Sequence, residues 1–230
     1  MRAHNRGVAE CKTPLFICVD SDDYLSENAV FSIVSNYSYI KDEQTLCGLL
    51  GRRKILKRPG ASTQMPDVRI ITIHELYNTG YIGDTSIVFK TDVIKRYPFY
   101  VYGDEKFMTE AYSYQQIDQS YSYMVVDEAW IICEYQEGGY TEGAQKLFLE
   151  APKGWALYYA QNYKLYASTI KDKLKYMGQY ISSSLIAKRS IIYIVWNAPS
   201  KIMGVLSLPV GFYYYQRSIR NFKKLGLLKK

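Results

Sequence analysis

The residues best suited to chemistry are Asp20, Ser21, Asp22 and Asp23, which follow directly on the apolar run Leu15-Phe16-Ile17-Cys18-Val19. A short continuous apolar run ending in acid predicts a buried central strand. Carboxylates at the C-terminal end of a buried parallel strand stand in the crevice where open α/β sheets bind ligands. Asp20 and Asp22 can there hold a divalent cation together with diphosphate oxygens, and such hard ligands favour Mg2+ or Mn2+. The same acids have a plainer use, because Asp22 and Asp23 would also stabilise the start of a following helix. A second acidic set lies in GDEKFMTEAYSYQQID, residues 103–118. Its acids include Glu110 and Glu105. On one helix they would stand ~140° apart, at ~3.6 residues per turn, so both reach one site only if Glu105 lies in the loop leading in. Acids on a solvated helix start are the plain alternative. His4 and His74 are too few and too separated to suggest a metal site or a triad.

The elements that must position these groups are read from periodicity. Residues 14–20 predict a strand. After SDDYLSEN, the residues Ala29, Val30, Ile33, Val34 and Tyr37 recur at helical spacing, with Ser26 as N-cap. Leu46 to Asp67 is basic and irregular and reads as a surface excursion. TSIVFKTDVI reads as a strand after a turn at Gly83-Asp84, residues 107–118 as a helix, and 122–135 as strand-rich up to the turn QEGGYT. From Lys146 to Gln179 the pattern is helical and rich in Tyr.

Charge divides the chain. Residues 173–230 hold 11 Lys and Arg and no Asp or Glu, whereas the first 172 hold 18 basic and 22 acidic residues, a net of −4. That contrast sets the expected domains, 1–172 and 173–230, the second reading as a helical, aromatic-rich tail that attaches to an anionic membrane surface. Its two uncharged stretches, SIIYIVWNAPS and IMGVLSLPVGFYYYQ, are interrupted by Pro199 and Pro209 and fall short of the roughly 20 residues of a spanning helix, which suits an interfacial segment. A core helix pair with a solvated basic end is the plain alternative. Nucleic acid is a poor partner for a body of net negative charge without a reading motif. The four cysteines show no metal-type or disulfide-type spacing, and Cys18 and Cys133, inside apolar runs, read as buried thiols. With no apolar leader in MRAHNRGVAECKT, a cytoplasmic protein at the inner face of the plasma membrane is expected.

NRGVAECKTPLFICVDSDDYLSENAV resembles the stretch of family 2 glycosyltransferases that carries an Asn-x-Gly segment, a short helix, an apolar strand and the DxD-type motif. Asn5 and Gly7 match the first part, Asp20 and Asp22 the two acids. The resemblance implies that Asn5, Asp20 and Asp22 face the nucleotide-sugar donor and that Asp20 and Asp22 hold the metal. GDEKFMTEAY is similar to the acidic segment of one branch of the family written Glu-Lys-Phe-x-x-Glu, which implies that Glu110, with Glu105 second, is the carboxylate that takes the acceptor hydroxyl proton. CEYQEGGYT, residues 133–141, resembles a Tyr-containing loop after the last core strand. Gln115-Gln116 makes no QxxRW motif, so likeness to processive synthases is absent. The resemblance covers roughly residues 3–150. It implies an α/β fold, a partial GT-A sheet with flanking helices, in a capsular or exopolysaccharide enzyme. It also implies a preceding ~70–90 residues, at ~30 per βαβ unit, so the expectation is an N-terminally truncated domain.

The expected function is therefore a metal-dependent, inverting hexosyl transfer from a nucleotide-sugar to a glycan or lipid-linked acceptor in surface polysaccharide synthesis. The alternative is a catalytically incomplete remnant that binds a membrane or partner without turnover.

Overall fold

A computed structural model of the chain describes residues 1–56, 64–100, 102–133 and 144–228. It divides into two compact units, one of Arg2–Phe99 with Ser113–Glu137, the other of Tyr100–Tyr112 with Gly138–Lys230. The 172/173 boundary read from charge falls inside the second unit, in the first turn of a helix. Charge reports surface chemistry, whereas compactness follows packing.

The first unit begins with α1 (Arg2–Glu10), β1 (Leu15–Ile17), β2 (Asp23–Leu25) and α2 (Ala29–Ile40). It continues with β3 (Leu46–Ile55), β4 (Ile70–Ile71), α3 (Ile73–Asn78), β5 (Thr85–Lys90) and α4 (Thr91–Ile94), and after α5 (Ala111–Ile117) it ends with β6 (Ser122–Cys133). The strands form one sheet in the order β1-β5-β3-β6-β2, with β4 pairing β6 off this path. β3 and β6 are parallel and the other pairings antiparallel.

Both faces of the central strands are covered, as successive side chains on a strand point to opposite sides. Leu50, Phe89 and Tyr123 join Val8, Leu76, Val93 and Ile117 in one core cluster. Their neighbours Leu49, Val88 and Met124 join Ala29, Ile33, Ile40 and Trp130 in the other. The fully buried Trp130 donates its indole N–H to Ser32 Oγ at 3.1 Å. Its ring needs the bare backbone of Gly51, where an added Cβ would lie 2.8 Å from ring carbon Cε3.

Several expectations are corrected here. β1 is a short strand at one end of the sheet order, antiparallel to β5, rather than a buried parallel strand, and Cys18 is exposed. The run expected as a surface excursion begins with β3, the middle strand of the sheet order: its apolar half (Leu46, Cys47, Leu49, Leu50) is buried, and the basic half drew the reading toward a loop. No helix follows the acidic run directly. β2 intervenes, Asn28 rather than Ser26 precedes α2, and the Ser26 N–H bonds the Trp130 carbonyl at 2.8 Å. TDVI turns into α4, and the helix expected over 107–118 is confined to Ala111–Ile117.

The N-terminus of α3 carries a capping box between Thr72 and Glu75, supplemented by Asp118, which accepts from the backbone N–H of Ile73 (3.3 Å) and His74 (2.9 Å). Burial, against those two bonds, pushes the Asp118 carboxyl up to about 6 from 3.8. A carboxyl raised on folding stabilises fully below its unfolded pKa, and that contribution is lost as pH rises through the folded value. Relative to Asp118→Asn, the unfolding free energy of the wild type should therefore fall by about 1–2 kcal/mol between pH near 4 and above 6, in urea titrations. Parallel pH curves for the two proteins would show that Asp118 does not titrate in this way.

The second unit is helical: α6 (Ala144–Glu150), α7 (Pro152–Tyr166), α8 (Ile170–Ile186), α9 (Ile191–Trp196), α10 (Lys201–Leu206) and α11 (Leu208–Lys224). Ala156, Met177, Tyr180, Ile181 and Ile194 form its core. α8 and α11 approach closely because Gly178 and Gly211 face each other's helix: a Cβ on Gly178 would sit 2.7 Å from Val210 Cγ1, and one on Gly211 would collide with Ile181. Among the described residues, no helix is long and apolar enough to cross a membrane.

Candidate functional site: the acidic turn and its arginine

Asp20 to Asp23 form a tight turn closed by the Asp23 N–H on the Asp20 carbonyl at 3.0 Å. The turn links β1 to β2, and β2 is held in place by pairing Asp23 with Cys133 and Leu25 with Ile131 of β6. Asp20 and Asp22 are exposed. Arg53, on β3, reaches into the turn and donates one guanidinium nitrogen to Asp20 Oδ2 and to Asp23 Oδ2, both at 3.1 Å. Its Nε donates to the Thr85 carbonyl at 3.2 Å, which fixes the guanidinium against β5. The Cys133 thiol adds a second donor to Asp23 Oδ2 at 3.1 Å. Burial and that hydrogen bond push the Cys133 thiol up to about 12, so it serves as a neutral donor and not as a nucleophile.

Three carboxylates against one guanidinium leave these four side chains with a net charge of minus two. Asp22 and Asp20 are the exposed carboxylates of the turn, whereas the Asp23 side chain is buried. Among the described residues no group of three or more His, Cys, Asp or Glu is placed to hold a metal ion. Two hard oxygen ligands fit Mg2+ or Mn2+ in the mode where water and phosphate complete the coordination, and they do not make an all-protein cage.

Asn5 lies within α1. Its Oδ1 accepts from the Phe99 N–H at 2.8 Å and its Nδ2 donates to the Phe99 carbonyl at 2.7 Å, while His4 stacks on the Phe99 ring at 4.1 Å. Asn5 thus clamps α1 to the segment after α4. Glu105 and Glu110 belong to the helical unit. Glu110 is exposed, immediately before α5. Glu105 is buried, and its two oxygens accept the backbone N–H groups of Lys153 and Gly154, each at 2.7 Å. α7 begins at Ala151-Pro152, where Ala151 offers no capping side chain, and Glu105 supplies the missing acceptors from outside the helix. Burial pushes its carboxyl up, against the pull of those two bonds. The Tyr-containing loop expected at 133–141 lies, beyond Cys133, outside the described residues.

Sequence reasoning missed Arg53, and it read Asp23 as a helix-start acid and Cys133 as a buried thiol without joining them. The one signal available was an arginine pair, Arg52-Arg53, directly after an apolar run.

The sheet, its covering helices and the helical unit make a mixed α/β protein, and the chain shares its fold with solved structures. The similar chains are S. aureus TarS 1-349 in complex with UDP-GlcNAc (TM-score 0.51, 13% identity, covering 96% of this chain and 70% of that one) and S. aureus TarS 1-349 alone (TM-score 0.50, 12% identity, 97% and 70%). What is shared at such identity is the glycosyltransferase fold. No protein-family profile and no curated protein matches the sequence.

Proposed function

We propose that the protein is a glycosyltransferase that takes a sugar from a nucleotide-sugar and adds it to a hydroxyl of a glycan or lipid-linked acceptor, in the synthesis of a surface polysaccharide. The observation that carries the reading is the exposed Asp20–Asp22 pair, braced by Arg53, in a fold shared with a protein crystallised with UDP-GlcNAc. Asp22 and Asp20 would hold a divalent cation, which when bound would neutralise the donor diphosphate. In an inverting transfer the acceptor oxygen attacks the anomeric carbon and its proton passes to a carboxylate. The bond from that carbon to the diphosphate oxygen breaks, and the electron pair leaves with the nucleoside diphosphate. Glu110, exposed directly before α5, is the base in this proposal, and Glu105 holds the N-terminus of α7.

The same reading places the enzyme at an anionic membrane, on the cytoplasmic side. Its support is the exposure of Ile192 (82%), Trp196 (70%) and Ile202 (75%) on α9 and α10, beside the cations of a segment without acids.

The test is calorimetric titration of the full chain with UDP-GlcNAc and other nucleotide-sugars, in Mn2+ and in EDTA, with release of nucleoside diphosphate followed in parallel. Binding should need the cation and weaken about tenfold or more in Asp22→Ala. Glu110→Gln should bind as the wild type does and turn over about 10²–10⁴-fold more slowly. Equal binding in EDTA would remove the metal from the proposal. Absence of binding to every donor would leave the remnant reading in its place.

A further inference from the structure

Within the helical unit, α7 and α9 border a cleft of about 350 Å³ whose lining includes Lys153, Lys164, Arg189, Tyr102, Tyr193 and Asn197. Three cationic side chains converge there. Two carboxylates act on Lys153, the exposed Asp104, which accepts from its Nζ at 2.8 Å, and the buried Glu105. Arg189 is the most constrained of the three. Its guanidinium donates to the Tyr102 hydroxyl and lies over the Tyr193 ring at 4.8 Å and the Tyr102 ring at 5.7 Å. The Tyr180 hydroxyl donates to the Ile194 carbonyl at 3.1 Å, which pins α9 and therefore Tyr193 to α8.

The backbone that presents Arg189 is strained. α8 ends in a Schellman turn, with the Lys188 N–H on the Leu185 carbonyl (2.9 Å) and the Arg189 N–H on the Ser184 carbonyl (3.1 Å). The left-handed position of that turn, usually glycine, is occupied by Lys188 at φ 58°. A conformation that an L-residue adopts at a cost, directly before an arginine fixed between two aromatic rings, is the pattern of a preorganised binding group.

We propose that this cleft is a phosphate-binding site, taking the phosphate or diphosphate of a ligand through Lys153, Lys164 and Arg189. A planar guanidinium with two lysines suits tetrahedral oxyanions, and the cleft has the volume of a small-molecule site. The cleft shares no residue with the acidic turn, so the proposal goes beyond the donor reading and does not depend on it. The phosphate can come from a soluble ester or from a lipid headgroup, since the exposed Ile192 and Trp196 lie on the same helix as Tyr193.

The probe is inorganic pyrophosphate, titrated into the full chain in EDTA, where a cation at Asp20 and Asp22 cannot contribute. Binding should be measurable, weaken about tenfold in Lys164→Gln and in Arg189→Gln, and be unchanged in Asp22→Ala. Lys223→Gln removes the same charge from α11, outside the cleft, and should also leave it unchanged. Arg189 tethers Tyr102, so circular dichroism accompanies that variant. Lys164, exposed at the end of α7, gives the cleaner result. A second arm adds phosphatidylcholine vesicles with and without phosphatidylglycerol. Competition between phosphatidylglycerol vesicles and pyrophosphate, sensitive to Lys164→Gln, assigns the site to a lipid headgroup. Absence of competition assigns it to a soluble phosphate. No pyrophosphate binding, or binding that Lys164→Gln and Lys223→Gln weaken equally, overturns the proposal and leaves the donor reading untouched.

Discussion

Arg53→Met should lower the unfolding free energy by about 3 kcal/mol or more, the largest effect expected of any polar substitution described above. The side chain of Asp23 is 7% exposed and that of Arg53 21%, so removal of the guanidinium strands a carboxylate that water cannot reach. The Cys133 thiol would remain as its donor, and a thiol is a weak one. Asp20, at 59% exposure, would be solvated and contributes little to the loss. The same reasoning predicts that Arg53→Met combined with Asp23→Asn is more stable than Arg53→Met alone, because the stranded charge is gone. Urea unfolding of the two single variants and the double variant gives the coupling. If the three losses simply add, the two side chains do not stabilise each other and the account of the turn is wrong.

Glu105→Ala comes next, with an expected loss of about 2–3 kcal/mol from two charge-assisted bonds to the N-terminus of α7. Glu105→Gln keeps one acceptor oxygen and should lose less than half of that. The pair also separates structure from chemistry. Turnover normalised to the folded fraction should be unchanged in Glu105→Gln and strongly reduced in Glu110→Gln. The opposite ranking would return the base role to Glu105.

The acidic turn was legible because it combines an apolar run with a dense set of carboxylates, a pattern that survives without knowledge of partners. Its counter-charge was not. Arg53 lies 30 residues from Asp23 in sequence, and the contact arises only because β3 takes the middle position of the sheet, flanked by β5 and β6. Periodicity identified β5 and β6, which are apolar along most of their length, and failed on β3, whose second half carries Arg52, Arg53 and Lys54 and resembles a loop in composition. Arg52 is paired with Asp127, and Arg53 with the turn. The two acids of the second set show the same limit. Glu105 and Glu110 look equivalent in GDEKFMTE, and only the helix 48 residues further on, whose Lys153 N–H takes one oxygen, makes one of them structural. Long-range pairing decides such cases, and no local pattern records it.

The close crossing of α8 and α11 has a kinetic and entropic consequence for the basic end of the chain. Arg217, Arg220, Lys223 and Lys224 stand on a helix locked to α8 through Gly178 and Gly211, not on a loose tail. Ordering a free segment costs roughly 1–2 kcal/mol per residue, and adhesion to an anionic surface would repay only ~1 kcal/mol per cation. A disordered basic tail would therefore lose most of its attraction in being immobilised. Here folding has already met that cost, so the cations form a fixed array whose attraction is available in full at first encounter.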